Sequence, residues 1–204
     1  MNQNIIKQVN AYYTDKLATL GKTVGGVDWN SKESQEIRFE QISKVLPVNR
    51  DESFSVCDFG CGIGDYCNYL NRLYTDYSYT GIDVSAKMID EANKYKNATY
   101  LCDSKIDGQY DYIVTSGIFN VKQGTTDKDW KEYILEILKM FSSYAKKGFS
   151  FNCLTSYSDK EYMRSDLYYA DPLYLFDYCK KHFSRNVALL HDYNIYDFTI
   201  IVRM

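Results

Sequence analysis

The chain has 204 residues, of which 45% are hydrophobic and 25% charged, with a formal net charge of −3. This is the composition of one globular domain with a sizeable core, and an acidic balance without a broad basic stripe argues against a nucleic-acid groove. No apolar run reaches membrane-spanning length and the N-terminus MNQNIIKQVN has no signal-peptide core, so a cytoplasmic protein without a membrane partner is expected.

Residues 3 to about 20 carry Ile5, Ile6, Val9, Tyr12, Tyr13 and Leu17 at helical spacing. A glycine-bearing link, GKTVGGVDWNS, follows. A second helix is expected from near Ser31, capped by Asn30 with Glu33, carrying Ile37, Phe39, Ile42 and Leu46, and ending at Pro47. From there strands and helices alternate, with strands expected at 54–58, 79–83, 98–102, 110–115, 147–154, 186–191 and 195–203. The helix after Gly64 should place Tyr66, Tyr69, Leu70, Leu73 and Tyr74 on one face, and SAKMIDEANKY forms the next helix. TDKDWKEYILEILKMF is the clearest helix, with Trp130, Tyr133, Ile134, Ile137, Leu138 and Phe141 in register. Asp171-Pro172 reads as an N-cap followed by proline in the first turn. Alternation of this kind gives a mostly parallel sheet covered on both faces, and the last two strands form a hairpin that puts one antiparallel strand near an edge. Residues 1–48 are expected to be a helical lid and 49–204 the core.

The six cysteines include no Cys-x-x-Cys pair, and neither histidine lies near a cysteine pair. Buried thiols and no metal site are therefore expected.

The chemistry concentrates in VCDFGCGIGD, residues 56–65. Gly60, Gly62 and Gly64 follow a strand and open a helix, which suits a ligand lying against bare backbone. The spacing departs from the dinucleotide fingerprint G-x-G-x-x-G, because Asp65 stands where the third glycine belongs. Asp58, ahead of the glycines, would repel a pyrophosphate and suits an ammonium group. Asp83 ends the next strand, where a carboxylate can accept both ribose hydroxyl protons. Asp103 follows the third strand, placed for an adenine amino group. Each aspartate alone could be a turn former; three at consecutive strand ends around one glycine turn are harder to read that way.

VCDFGCGIGDY and YTGIDVSAKMIDEA resemble the first two motifs of class I S-adenosylmethionine-dependent methyltransferases, and the likeness extends through ATYLCDS and YDYIVTSGIFN. The resemblance implies a Rossmann-like seven-stranded α/β fold with S-adenosyl-L-methionine as cofactor. It implies that Gly60, Gly62 and Gly64 back the methionine moiety, that Asp83 binds ribose with Val84 beside it, and that Asp103 and Ser104 border the adenine. Asp58 would help place the amino group, Cys61 and Met88 would line the pocket, and Ser116 and Gly117 would face the sulfonium. A dehydrogenase and a non-catalytic nucleotide-binding module are the weaker readings.

The Asn/Asp-Pro-Pro-aromatic signature of nucleobase and glutamine N-methylation is absent after the fourth strand, where Ser116-Gly117-Ile118-Phe119 stands. Segments at both ends of the chain resemble small bacterial methyltransferases of surface-polysaccharide and sugar-modifying gene clusters. A small polar acceptor is expected, a sugar or nucleotide sugar methylated on oxygen, with nitrogen or phosphoramidate acceptors as the alternative. His191 would be the general base, with Tyr157 and Tyr196 beside it, and Arg164, Tyr168 and Tyr169 would border the acceptor. In the lid, Trp29 would cover the pocket, and Gln35 and Arg38 would reach the donor carboxylate.

Overall fold

A computed structural model describes residues 2–21, 31–95 and 98–204. Its helices are α1 (Gln3–Leu20), α2 (Lys32–Ser43), α3 (Asp65–Leu70), α4 (Ala86–Ala92), α5 (Asp127–Tyr144) and α6 (Pro172–His182). Its strands are β1 (Phe54–Phe59), β2 (Tyr77–Asp83), β3 (Thr99–Cys102), β4 (Tyr110–Thr115), β5 (Ala145–Leu154), β6 (Asn186–Leu190) and β7 (Asp197–Arg203). The sheet runs β3-β2-β1-β4-β5-β7-β6. The first five strands in that order are parallel, and β7 lies antiparallel between β5 and β6. Strand order reverses between β1 and β4, so the ends of these strands open a crevice there. Across it, Thr115 Oγ1 donates to the Phe59 carbonyl at 2.6 Å.

Successive strand residues face opposite layers. Cys57, Ile113, Phe149, Phe151 and Val202 pack with Trp130, Ile134, Ile137, Leu138 and Phe141 of α5 and with Leu175 and Cys179 of α6. Phe54, Val56, Tyr112, Val114 and Ile201 pack on the other face with Phe39 and Ile42 of α2, with α3, and with α4. All six residues expected on the α5 stripe are buried.

Three local expectations are corrected. The cap of α2 is Ser31, whose hydroxyl accepts from Ser34 N–H while Ser34 Oγ accepts from Ser31 N–H. Helix α2 ends at Ser43, because the following amides bond three residues back: Leu46 N–H to Ser43 and Val45 N–H to Ile42. Leu46 is still buried, in the turn beyond. Likewise α3 stops at Leu70, so Leu73 and Tyr74 lie past its end. Asp171 caps α6 as expected, accepting from Leu173 and Tyr174 amides with Pro172 in the first turn.

The two N-terminal helices have different attachments. Helix α2 lies on a strip of buried polar groups: Ser150 Oγ donates to the Ile42 carbonyl at 2.7 Å, and Arg38 pairs with Asp197. Phe39 and Ile42, with Val45 and Leu46 just beyond, are core. Removing residues 1–45 would therefore strip part of the core. Helix α1 crosses the mouth of the crevice, joined to the start of α4 by a 2.8 Å bond between Thr14 and Ser85 hydroxyls.

Candidate active site

One cavity opens at the carboxyl ends of β1, β2, β3 and β4. The turn after β1 forms its floor, with Gly60, Cys61, Gly62, Ile63 and Asp65 along the wall. Gly60 has φ +80, a conformation that L side chains rarely adopt, and its amide bonds to the Ile82 carbonyl at 2.7 Å. Gly64, also at positive φ, does not reach the cavity. It stands over Tyr100, whose hydroxyl would lie 2.7 Å from an added Cβ, so its role is close packing of the turn onto β3.

Asp83, at the end of β2, anchors this turn. Its Oδ2 accepts from Gly62 N–H at 2.9 Å and its Oδ1 from Ser85 N–H at 2.8 Å. Burial raises its carboxyl above the ordinary value, against the opposing pull of the Ser85, Gly62 and Val84 amides. Asp58 is buried, and Tyr79 Oη donates to its Oδ2 at 2.5 Å. Burial pushes this carboxyl up to about 7; the Tyr79 hydrogen bond pulls it down, and the charges of Asp83 and Asp65 raise it further. Asp103 lines the cavity while its Oδ1 accepts from the Ser104 and Lys105 amides, so the turn-forming and cavity-facing readings hold together.

Val84, Met88 and Ser104 line the wall near Asp83 and Asp103, and Ser116 and Gly117 line it after β4. Among the described residues, Ser116 Oγ is buried without a hydrogen-bond partner, a polar group left for something else in the cavity. Gln35 and Arg38 also line the cavity, but both are engaged: Gln35 Nε2 donates to Asp65 Oδ2 at 3.0 Å, and Arg38 makes a two-point pair with Asp197. Trp29 lies outside the described residues.

The residues expected on the acceptor side fare differently. His191, Tyr157 and Tyr196 do not line the cavity. The reason is strand order: β7 inserts between β5 and β6, which carries the end of β6 to the sheet edge. There His191 is exposed, its ring 5.9 Å from that of Tyr157, and Tyr196 Oη donates to Asp159. Tyr168 and Tyr169 are also outside the cavity. Arg164 does line it, with Leu167 from the same segment.

Sequence reasoning missed several walls. Ile6, Val9 and Tyr13 of α1 face the cavity, as do Tyr133 of α5, Asn120 and Val121 after β4, and Leu154 at the end of β5. The helical spacing of Ile6, Val9 and Tyr13 was visible, but periodicity does not distinguish a stripe facing core from one facing a ligand.

This set of groups fits an adenosyl sulfonium. Carboxylates suit its cationic and hydroxyl-bearing parts, bare backbone at Gly60 and Gly62 allows close approach, and Ile82, Val84 and Met88 supply an apolar slot. Among the described residues, no group of histidine, cysteine and carboxylate side chains could hold a metal ion, and no helix is long and apolar enough to cross a membrane.

Comparison with known proteins agrees with this geometry. The family described as methyltransferase domain matches residues 56–142. A putative methyltransferase of Mycobacterium tuberculosis is 49% identical over 160 residues, covering 76% of this chain and 96% of that protein. In fold, the chain resembles the magnesium protoporphyrin IX methyltransferase of Synechocystis PCC 6803 with bound SAM, at a TM-score of 0.65 and 16% identity over 98% of this chain and 95% of that one. It also resembles the plantazolicin methyltransferase BpumL in complex with SAH and a pentazolic desmethylPZN analogue, at a TM-score of 0.62 and 16% identity over 99% of both chains. By motif, fold and relatedness, the chain belongs to the class I S-adenosylmethionine-dependent methyltransferases.

Proposed function

We propose that this cavity holds S-adenosylmethionine against the β1 turn and delivers its methyl group to an oxygen of a small polar acceptor, a sugar or nucleotide sugar. The observation that carries the donor half is the convergence of Asp58, Asp83 and Asp103 on one cavity around the Gly60–Gly62 turn. In this reading Asp83 accepts from the ribose hydroxyls, Asp103 and Ser104 border the adenine between Val84 and Met88, and Asp58 faces the amino group. Ser116 and Gly117 lie beside the reacting centre. When bound, the donor supplies an already electrophilic methyl group, so the chain's contribution is to position the acceptor in line and exclude water.

The acceptor side supports a compact molecule with an apolar face and a few polar groups. Ile6, Val9, Val121, Leu154 and Leu167 form apolar walls, with Asn120 and Arg164 among them. A sugar ring offers such a face, and the diphosphate of a nucleotide sugar offers Arg164 an anion in exchange for Asp166, which the guanidinium holds at two points. The likeness of the chain ends to sugar-modifying methyltransferases supports the same class. Helix α1, which supplies Ile6 and Val9, is the cover in this reading, and α2 a fixed wall. The test is a panel of nucleotide sugars, free sugars and amines incubated with methyl-labelled donor. Label transferred to a sugar hydroxyl is the expected result; transfer confined to amines would overturn the oxygen assignment.

The state of Asp58 gives this reading a pH signature. Its folded-state carboxyl, at about 7, titrates above the ordinary 3.8. The proton it holds therefore favours the fold below about pH 4, and that contribution is lost as pH rises to about 7. A bound ammonium reverses the preference, because it favours the ionised carboxylate. Affinity for S-adenosylhomocysteine should fall below pH 7, approaching about tenfold per unit. The Asp58→Asn variant should bind weakly with a flatter profile. Calorimetry between pH 5.5 and 8 checks this; a flat wild-type profile would remove Asp58 from contact with the amino group.

A further inference from the structure

The turn after β4 is not held by the strand ladder. Pairing between β4 and β5 ends at Thr115 with Phe151, and Gly117, at φ +84, turns its amide sideways onto a side chain. Its N–H donates to Asn152 Oδ1 at 2.9 Å. Asn152 Nδ2 donates in turn to Asp197 Oδ2 at 3.1 Å. Asp197 also receives Arg38 Nε on Oδ2 at 2.5 Å and Arg38 Nη2 on Oδ1 at 3.0 Å. Asn152, Asp197 and Arg38 are 0%, 1% and 6% exposed. Arg38 and Gly117 line the cavity, whereas Asn152 and Asp197 stand behind them.

We propose that Asn152 and Asp197 are positioning residues, which together fix the Ser116–Gly117 wall of the cavity relative to the α2 wall. The chemistry at each position supports this. An amide at 152 can accept from Gly117 and donate to Asp197 at once; an apolar residue does neither, and an ionised carboxylate cannot donate. A buried ion pair such as Arg38–Asp197 contributes little net stability compared with apolar packing. What this one does provide is a fixed distance between two walls from elements far apart in sequence. The consequence for donor binding rests on the reading that the cavity holds the adenosyl donor.

The test uses the full chain with S-adenosylhomocysteine as probe. In Asn152→Asp, the introduced carboxyl meets Asp197 of β7, which itself holds Arg38 of α2 and lies within electrostatic reach of Cys153 of β5 and Tyr193 between β6 and β7. Protonated, it can accept from Gly117 and donate to Asp197 as the amide does. Ionised, it loses its donor and faces a like charge. Relative to wild type at the same pH, affinity should be weaker by about tenfold or more at pH 8.5, the scale of a lost hydrogen bond to a charged group, and the deficit should shrink as pH falls and the carboxyl takes up its proton. Thermal melting at the same pH confirms that the variant is folded. A second measurement needs no variant: the Gly117 amide of the wild type should exchange with solvent hydrogen at least ~100-fold more slowly than an unprotected amide. Wild-type affinity in folded Asn152→Asp at pH 8.5, or a Gly117 amide that exchanges freely, overturns the proposal. Failure of the wild type to bind the probe would count against the donor reading instead, and exchange at Gly117 would still decide the network.

Discussion

Replacing Asp83 with alanine is expected to weaken donor binding by about 1.5–3 kcal/mol, or roughly 10- to 150-fold, the scale of a lost charged hydrogen bond. In the proposed reading this residue has two roles. Its two oxygens accept from Gly62 and Ser85, which fixes the glycine turn and the start of α4, and it lines the cavity. Alanine removes the acceptor for both amides, so a loss of stability of about 1–3 kcal/mol should accompany the loss of binding. Asp83→Asn separates the two functions. It retains one acceptor oxygen and similar shape, so it should recover much of the melting temperature while still binding the donor weakly. Calorimetry with S-adenosylhomocysteine, paired with thermal melting, reads both quantities. Unchanged affinity in folded Asp83→Ala would exclude the carboxylate from the donor site.

A methyl group added at Gly60 is expected to be more damaging to the fold. Its Cβ would lie 2.1 Å from Ile118 Cγ2, at a backbone φ of +80. The left-handed conformation costs a residue other than glycine about 1–3 kcal/mol, and an overpacked contact costs a similar amount. Ile118 is branched and packed against the core, so it has little freedom to withdraw. Gly60→Ala should therefore lower stability by about 2–6 kcal/mol, the sum of those two costs, and displace the turn that lines the cavity. Alanine at Gly108 is the control: that glycine also has positive φ, but an added Cβ meets nothing within 4 Å. Only the backbone cost should appear there, with donor affinity intact. Equal destabilisation of the two variants in urea unfolding would show that the Ile118 contact is relaxed at little cost.

The layout of the core was legible because its signals are local. Apolar runs bounded by turns located every strand to within about two residues, a normal margin for such boundaries. Val56–Asp65 placed the glycine turn, and the aspartates at 58, 83 and 103 marked the strand ends that meet at the crevice. What was not legible depends on contacts distant in sequence. His191 was placed near the acceptor because it ends a strand, but the insertion of β7 moves that end to the sheet edge. Arg38 sits on a helix face that also carries Phe39 and Ile42, and its partner Asp197 lies 159 residues away, so nothing nearby in sequence announces the pair. The α1 stripe shows the limit of periodicity: it identified the buried face, not whether protein or ligand does the burying. The cap at Ser31 was missed for a smaller reason, since Asn30, Ser31 and Ser34 all have capping side chains and only geometry chooses between them.

The central claim, that the carboxylates and bare glycine turn at the ends of β1, β2 and β3 form an adenosyl sulfonium site, is most directly tested by titrating the intact chain with S-adenosylmethionine, S-adenosylhomocysteine and NAD in a calorimeter. The account predicts saturable binding of the first two at one site per chain and none of NAD, because Asp58 and Asp65 oppose a pyrophosphate at the turn. Saturable NAD binding with no heat from either adenosyl sulfur ligand would contradict it.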